Sequence, residues 1–298
     1  MKQALLAAVF LLVQSAFAQD ALRVSSEQTV GGFVFPESCG YDAARKVLYV
    51  GNFGGAKLNP AEKDHTGYIS KVGLDGKVLE QQFLPALGAK LLHKPKGIWV
   101  RGDRLWVTDI DVVWIFDLKT KRGRSLALPD VGFANDPAVM DNVLYVSDNR
   151  NDKVVKVEPA DFLNAKKAPS VTTVFTNQSV HPNGLYPARD GMMYMVGFLA
   201  PDKPRAIYAL GVSGQVKRLT DPIGRLDGLY ELRDGSLLFT DWNTGSLSHW
   251  SEKSGVKQLA SGFKGPADFC VVPATGGAMT VVVPDLVQSQ LRFIHLRR

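Results

Sequence analysis

Long apolar runs are missing from nearly the whole chain. After the first eighteen residues no segment approaches the roughly 20 consecutive apolar residues of a membrane helix, so no span is expected there. Long helical periodicity is missing too, which argues against a helical architecture. The chain has no Gly-x-Ser-x-Gly elbow, P-loop, GxGxxG or HExxH, and its five scattered histidines point to no Ser-His-Asp triad. Cysteine occurs only twice, at positions 39 and 270. The formal charge of +6 comes from Lys and Arg spread along the chain, without the basic-aromatic face of a nucleic-acid binder. The one local basic run, Lys119 to Arg124, reads as a solvated hairpin turn.

The amino terminus is the exception to this apolar poverty. Lys2, the apolar run Ala4 to Val13 and Ala16-Phe17-Ala18 before Gln19 form a signal-peptide pattern. The expected division is a signal peptide over 1–18 and a single domain over 19–298, periplasmic or secreted after cleavage behind Ala18. No Cys follows the cleavage site, so no lipid anchor is expected.

What fills the remainder is one pattern repeated six times. Aliphatic-aromatic strands recur at Val47–Val50, Leu105–Val107, Val143–Val146, Met192–Met195, Leu237–Phe239 and Met279–Val282. Asp109, Asp148, Asp241 and Asp285 close four of them, and pairs such as Asp75-Gly76 and Asp234-Gly235 mark turns. Third strands follow each, and outer strands follow five: Val78–Leu84, Ser125–Leu128, Val171–Phe175, Val216–Leu219 and Val256–Leu259. The sixth repeat ends without one, and the leftover segment Leu22–Val30 can take that place. The predicted fold is all-β, a six-bladed β-propeller whose ring is closed by the N-terminal strand joining the last blade.

First strands of a propeller line its channel, and side chains two apart share a face. Alignment on Lys96-Gly97, Asn183-Gly184 and Asp227-Gly228 puts Glu37, Lys96, Asp136, Asn183, Asp227 and Asp268 in one ring. Two residues further along lies an apolar layer, Cys39, Ile98, Ala138, Leu185, Leu229 and Cys270, expected to plug the channel. Two residues outward, Lys94, His181 and Arg225 give the rim its cationic groups. The opposite parity, with Gly97 and Trp99, Gly184 and Tyr186, Gly228 and Tyr230, suits packing between blades. Four converging carboxylates opposed only by Lys96 would raise one another's pKa or demand a cation. Carboxylate and amide oxygens suit a hard divalent ion, with Ca²⁺ the best match and Mg²⁺ or Mn²⁺ next. The alternative is a set of polar strand ends facing water.

The motifs Pro36-Glu37, Asn135-Asp136, Pro182-Asn183-Gly184-Leu185 and Leu226-Asp227-Gly228-Leu229 resemble the senescence-marker-protein/gluconolactonase-like family, which includes regucalcin and bacterial lactonases. The resemblance implies one divalent cation in the channel, held by Glu37, Asn183 and Asp227, with Asp136 a further candidate. It implies Asp227 as acid/base and Asp136 as a second catalytic acid. Lys96, His181, Arg225 and Asp268 are the candidate substrate contacts, though each has a structural alternative, such as Lys96 acting as counter-ion to Asp136. The expected reaction is metal-dependent hydrolysis of a lactone or related ester. The expected substrate is a small molecule, with anionic or sugar-derived lactones the candidates. The alternative is a non-enzymatic NHL-like propeller that binds a protein or envelope ligand. Cys39 and Cys270, in the same layer of blades one and six, could form a disulfide across the seam or remain two buried thiols.

Overall fold

A computed structural model describes residues 22–86, 88–211 and 213–298, so the signal-peptide expectation lies outside the described residues. Strand β1 (Arg23–Val30) comes first in the chain but last in the ring. Blade one is β2 (Pro36–Asp42), β3 (Val47–Asn52), β4 (Tyr68–Gly73) and β5 (Val78–Leu84). Blade two is β6 (Pro95–Arg101), β7 (Arg104–Asp109), β8 (Val112–Asp117) and β9 (Gly123–Ala127). Blade three is β10 (Ala134–Met140), β11 (Val143–Asp148), β12 (Lys153–Glu158) and β13 (Ser170–Thr176). Blade four is β14 (Pro182–Pro187), β15 (Met193–Gly197), β16 (Ile207–Leu210) and β17 (Val216–Arg218). Blade five is β18 (Leu226–Glu231), β19 (Leu237–Asp241), β20 (Ser246–Ser251) and β21 (Gly255–Ser261). Blade six is β22 (Cys270–Pro273), β23 (Met279–Asp285) and β24 (Gln290–Arg297), completed by β1. Among the described residues there is no α-helix.

The pairing of β1 with β24, from Arg23 opposite Arg297 to Val30 opposite Leu291, closes the ring as the leftover segment predicts. It joins the start of the described chain to its end and covers an edge that would otherwise be open. The basic run falls where expected, with Lys119 to Arg122 in the β8–β9 turn.

Period-two alternation explains why the strands are apolar on both faces. In β3, Val47 and Tyr49 enter the core shared with blade two, while Leu48 and Val50 enter the core shared with blade six. In β11, Leu144 and Val146 face blade two and Tyr145 faces blade four. Six such cores result, one per blade interface.

Two sets of polar groups fix where each inner strand begins. The strand-ending aspartates accept backbone N–H groups from the segment entering the first strand of their own blade. Asp109 takes His93 and Lys94, both at 2.7 Å, and Asp148 takes Gly132 and Phe133, both at 3.0 Å. Asp241 takes Arg225 at 2.9 Å, and Asp285 takes Lys264 and Gly265 at 2.9 and 3.0 Å. The second set is hydroxyls reaching to the next blade. Ser38 donates to the Lys96 carbonyl, Thr108 to Asn135, Ser147 to Asn183 at 2.6 Å and Thr240 to Ala267 at 3.0 Å. At the seam the Asp268 N–H donates to the Glu37 carbonyl at 3.1 Å. Buried backbone groups left unpaired cost free energy, so these bonds hold the inner strands at a fixed height.

Candidate functional site at the channel mouth

Each first strand of blades one to five shifts register at the ring position: between Pro36 and Ser38, Pro95 and Ile98, Ala134 and Pro137, Pro182 and Leu185, and Leu226 and Leu229. Such an irregularity re-aims a side chain out of the ladder. The glycine after three ring residues is required by the neighbouring blade. A Cβ on Gly184 would lie 2.1 Å from the Asp227 carbonyl oxygen, and one on Gly97 would lie 2.3 Å from an Asp136 carboxylate oxygen. Each of these glycines therefore lets the next blade's ring residue approach its bare backbone, as the parity argument anticipates for the glycines.

Five of the six ring residues stand on first strands; Asp268 lies two residues ahead of β22. Five of the six ring residues are deeply buried and Asp268 is half-buried. Glu37, Asn183 and Asp227 are 5%, 3% and 5% exposed, and Lys96 is fully buried. One side-chain oxygen on each of Glu37 (Oε2), Asn183 (Oδ1) and Asp227 (Oδ1) is buried without any hydrogen-bond partner. These orphans come from blades one, four and five. Buried polar atoms are rarely left unpaired, so three unsatisfied oxygens along one channel are unusual. Their donor set, two carboxylates and an amide, is the one a hard divalent cation takes. Among the described residues no three His, Cys, Asp or Glu side chains cluster closely enough to hold a metal by themselves. Glu37 and Asp227 supply two such groups, so the amide of Asn183 is needed to make three.

Asp136 is engaged elsewhere: its Oδ2 accepts the Leu185 N–H at 2.6 Å, tying blade three to blade four. Asp227 is oriented by the Trp242 indole, whose Nε1 donates to Oδ2 at 2.8 Å. The Arg225 guanidinium sits 4.9 Å from the Phe198 ring centroid and 5.2 Å from that of Trp242.

The ring carboxyls are raised as the sequence predicts, but burial is the largest cause at each, and at Asp227 it is the cause without help from a neighbouring carboxyl. Burial, with Asp227 and Asp268 adding repulsion and Lys96 opposing, holds the Glu37 carboxyl well above the usual range. Burial and the facing Asp268 do the same to Asp136, and burial and Asp227 do so to Asp268. Asp227 is pushed up to about 7 by burial, partly offset by the Trp242 hydrogen bond and Arg225. Lys96 is pushed down to about 8 by burial, against the attraction of Glu37. Its ammonium lies 4.2 Å from the Phe133 ring centroid and 5.6 Å from that of Phe53.

Two expected rim cations have structural partners. Lys94 is fully buried, its Nζ donating to Asp64 Oδ2 at 2.6 Å and Thr66 Oγ1 at 2.8 Å. It thereby pins the long excursion after β3. His181 sits with its Nδ1 against the Asp152 carboxylate. Over the ring, Phe53, Ala267 and Leu286 form an apolar cluster flanked by Phe35 and Trp242. The places of Trp242 on Asp227 and of Phe53 beside Lys96 escaped the sequence reading, which took Phe53 only as the start of an excursion to His65 expected to serve as a lid or docking loop. Each directly follows a second strand, so the blade alignment, extended one residue past the strand ends, would have found both.

The apolar layer differs from its expectation. It does not plug the channel; Cys39, Ile98, Leu185, Leu229 and Cys270 line a cavity of about 350 Å³. Cys39 and Cys270 form a disulfide across the seam of blades one and six, with Cα atoms 5.2 Å apart. Asp136 and Asp268 reach this cavity from the ring.

No protein-family model matches the chain, and no curated protein matches it. Solved structures do. A gluconolactonase from Xanthomonas campestris superposes with a TM-score of 0.63 at 12% identity, covering 92% of this chain and 91% of that one. A catalytically inactive virginiamycin B lyase from Staphylococcus aureus, solved with quinupristin, gives 0.60 at 15% identity, covering 92% and 99%. What is shared is the fold. The six-bladed propeller expected from the repeats is thus found both in the chain's own strand pairing and in its structural neighbours.

Proposed function

We propose that the chain is a divalent-metal-dependent hydrolase of lactones or related esters, with the ion at Glu37, Asn183 and Asp227. The carrying observation is the set of three buried, unpartnered oxygens on residues from three blades. A hard cation bound there, Ca²⁺ before Mg²⁺ or Mn²⁺, would supply Lewis-acid polarisation of a carbonyl and a more acidic water. Asp227 is the acid/base: burial alone pushes its carboxyl up to about 7, a bound cation would bring it down again, and the carboxylate would take a proton from water and return it to the leaving alkoxide. Trp242 fixes the orientation of that carboxyl through Oδ2. Arg225, beside Asp227 and stacked on two rings, is the residue placed to attract an anionic or polyhydroxylated substrate. Asp136 serves as a positioning residue through its bond to Leu185. The activity named for the Xanthomonas campestris structure belongs to the same reaction class. An exported location is part of the proposal, and the Cys39–Cys270 disulfide supports it, since such bonds persist in oxidising compartments.

One observation favours the second reading, a propeller that binds a protein or envelope ligand without turnover. The ring lies beneath Phe53, Leu286 and their neighbours rather than open to a cleft. Metal analysis of the purified protein, with lactone hydrolysis before and after chelation, separates the two. Bound Ca²⁺ and chelator-sensitive hydrolysis are expected; a metal-free protein without such activity leaves the binding propeller as the better account.

A further inference from the structure

The 350 Å³ cavity opens at the end of the channel opposite the mouth, reaching Ala43 and Pro273 at the β2–β3 and β22–β23 turns. Its wall carries Tyr41, Trp99, Tyr186, Tyr230 and Phe269, and among the described residues the only charged ones that line it are Asp136 and Asp268. The aromatic wall is continuous: ring centroids of Tyr186 and Tyr230 are 4.9 Å apart and those of Trp99 and Tyr186 are 6.4 Å apart. Basic side chains, Arg189, Arg233 and Arg298, line an adjoining cavity of about 250 Å³ instead, where Arg189 pairs with Glu231 and Arg298 with Asp234.

These features select among ligands. Aromatic faces carry negative quadrupole potential, and the two acids add to it once ionised, so an anion finds no complementary charge there. A neutral apolar guest would fill the space, but Asp136, bonded on Oδ2 by the Leu185 N–H, and Asp268 would gain no opposing charge from it. A compact organic cation satisfies both, with its charge toward the acids and its apolar body on the rings, and cation–π contact strengthens as water is excluded. We propose that this cavity binds a small organic ammonium ion, the charged nitrogen facing Asp136 and Asp268 and the apolar part lying on the Tyr186–Tyr230 wall. Glu37, Asn183 and Asp227 do not line it, so the site shares no residue with the proposed metal ligands, although Asp227 acts on Asp268 through space.

The test is isothermal titration calorimetry of the purified chain with benzyltrimethylammonium in chelator-containing buffer, where the mouth chemistry plays no part. Benzoate and benzyl alcohol serve as the anionic and neutral comparisons. Saturable one-site binding of the cation is expected, with benzyl alcohol at least roughly tenfold weaker and benzoate without measurable heat. Asp268→Asn should weaken the cation at least roughly tenfold and Tyr230→Leu several-fold, while Tyr230→Phe, which keeps the ring, should bind as the parent does. Circular dichroism checks that each variant folds, and Tyr186→Leu substitutes for Tyr230→Leu if the latter does not. The proposal is overturned if the cation fails to saturate at millimolar concentration. It is equally overturned if benzyl alcohol binds as tightly, or if the folded Asp268→Asn protein binds the cation unchanged.

Discussion

Replacing Asp227 by asparagine should stabilise the metal-free protein at alkaline pH, although it removes a residue assigned to the site. The folded-state pKa is about 7, against about 3.9 for an unperturbed aspartate. Because the folded value is raised, the cost is absent below the unfolded pKa and complete above the folded one. Between them the folded chain keeps a proton that the unfolded chain has shed, and stability falls by about 1.4 kcal/mol per pH unit, or about 4 kcal/mol in all. The amide of the Asp227→Asn variant carries no such proton yet can still accept the Trp242 N–H, and its neutrality also relieves Glu37, which Asp227 holds up. With an unfolding entropy of about 2 cal/mol/K per residue, the variant should melt roughly 7 °C above the parent at pH 8.5 and level with it near pH 4. Thermal melts in chelator across pH 4 to 8.5 measure this. Excess Ca²⁺ should narrow the gap at alkaline pH and close it near 1,000 times its Kd, because a ligand adds about 2.7 kcal/mol to the parent alone at 100 times its Kd and about 4.1 at 1,000 times. A variant that melts below the parent in chelator, with a gap independent of pH, would refute the electrostatic account of the ring.

Other outcomes follow from single contacts. Gly184→Ala should lower stability by about 2 kcal/mol or more and abolish any Ca²⁺-induced rise in melting temperature, because its Cβ would meet the Asp227 carbonyl at 2.1 Å. Asp148→Ala strands the Gly132 and Phe133 N–H groups and should cost about 2–4 kcal/mol in urea denaturation, whatever the metal content. Cys39→Ser with Cys270→Ser removes a cross-link spanning 231 residues and should cost about 2–5 kcal/mol, the lower part of that range if β1 alone keeps the ring shut. Lys94→Met leaves Asp64 without its partner, so limited proteolysis should cleave faster within 54–65 than in the parent.

The blades were legible because each strand carries its own signal: alternating apolar residues feed two cores, and Asp-Gly pairs mark the turns. The place of β1 was legible by elimination, since the sixth repeat lacked an outer strand. The ring could be aligned because Gly97, Gly184 and Gly228 stand where a Cβ would collide with the ring residue of the next blade, its backbone carbonyl at Gly184 and its carboxylate at the other two. What stayed hidden depends on distance between blades. The Leu185 N–H that claims Asp136 belongs to the next blade, and the Asp64 that claims Lys94 sits in a loop 30 residues earlier. Strand-ending aspartates were visible as punctuation, but their bonds to incoming amides appear only once the blade is folded. The cavity in place of a plug is a matter of channel width against side-chain reach, a quantity no strand pattern contains.

The channel as a whole is short of positive charge. Four carboxyls converge with Lys96 as the opposing ring cation, and burial pushes that lysine down to about 8. Near neutral pH the ring therefore relieves its repulsion either by holding protons or by taking up cations from outside. Protons weaken as a remedy when pH rises through the raised pKa values, whereas a bound cation does not. The orphaned oxygens of Glu37, Asn183 and Asp227 face one demand, and the Asp136–Asp268 pair above the aromatic cavity faces another. A protein that met both with protons alone would lose stability steadily from pH 4 to 8; one that binds cations at either end would hold a flat profile until a chelator or a competing ion removed them.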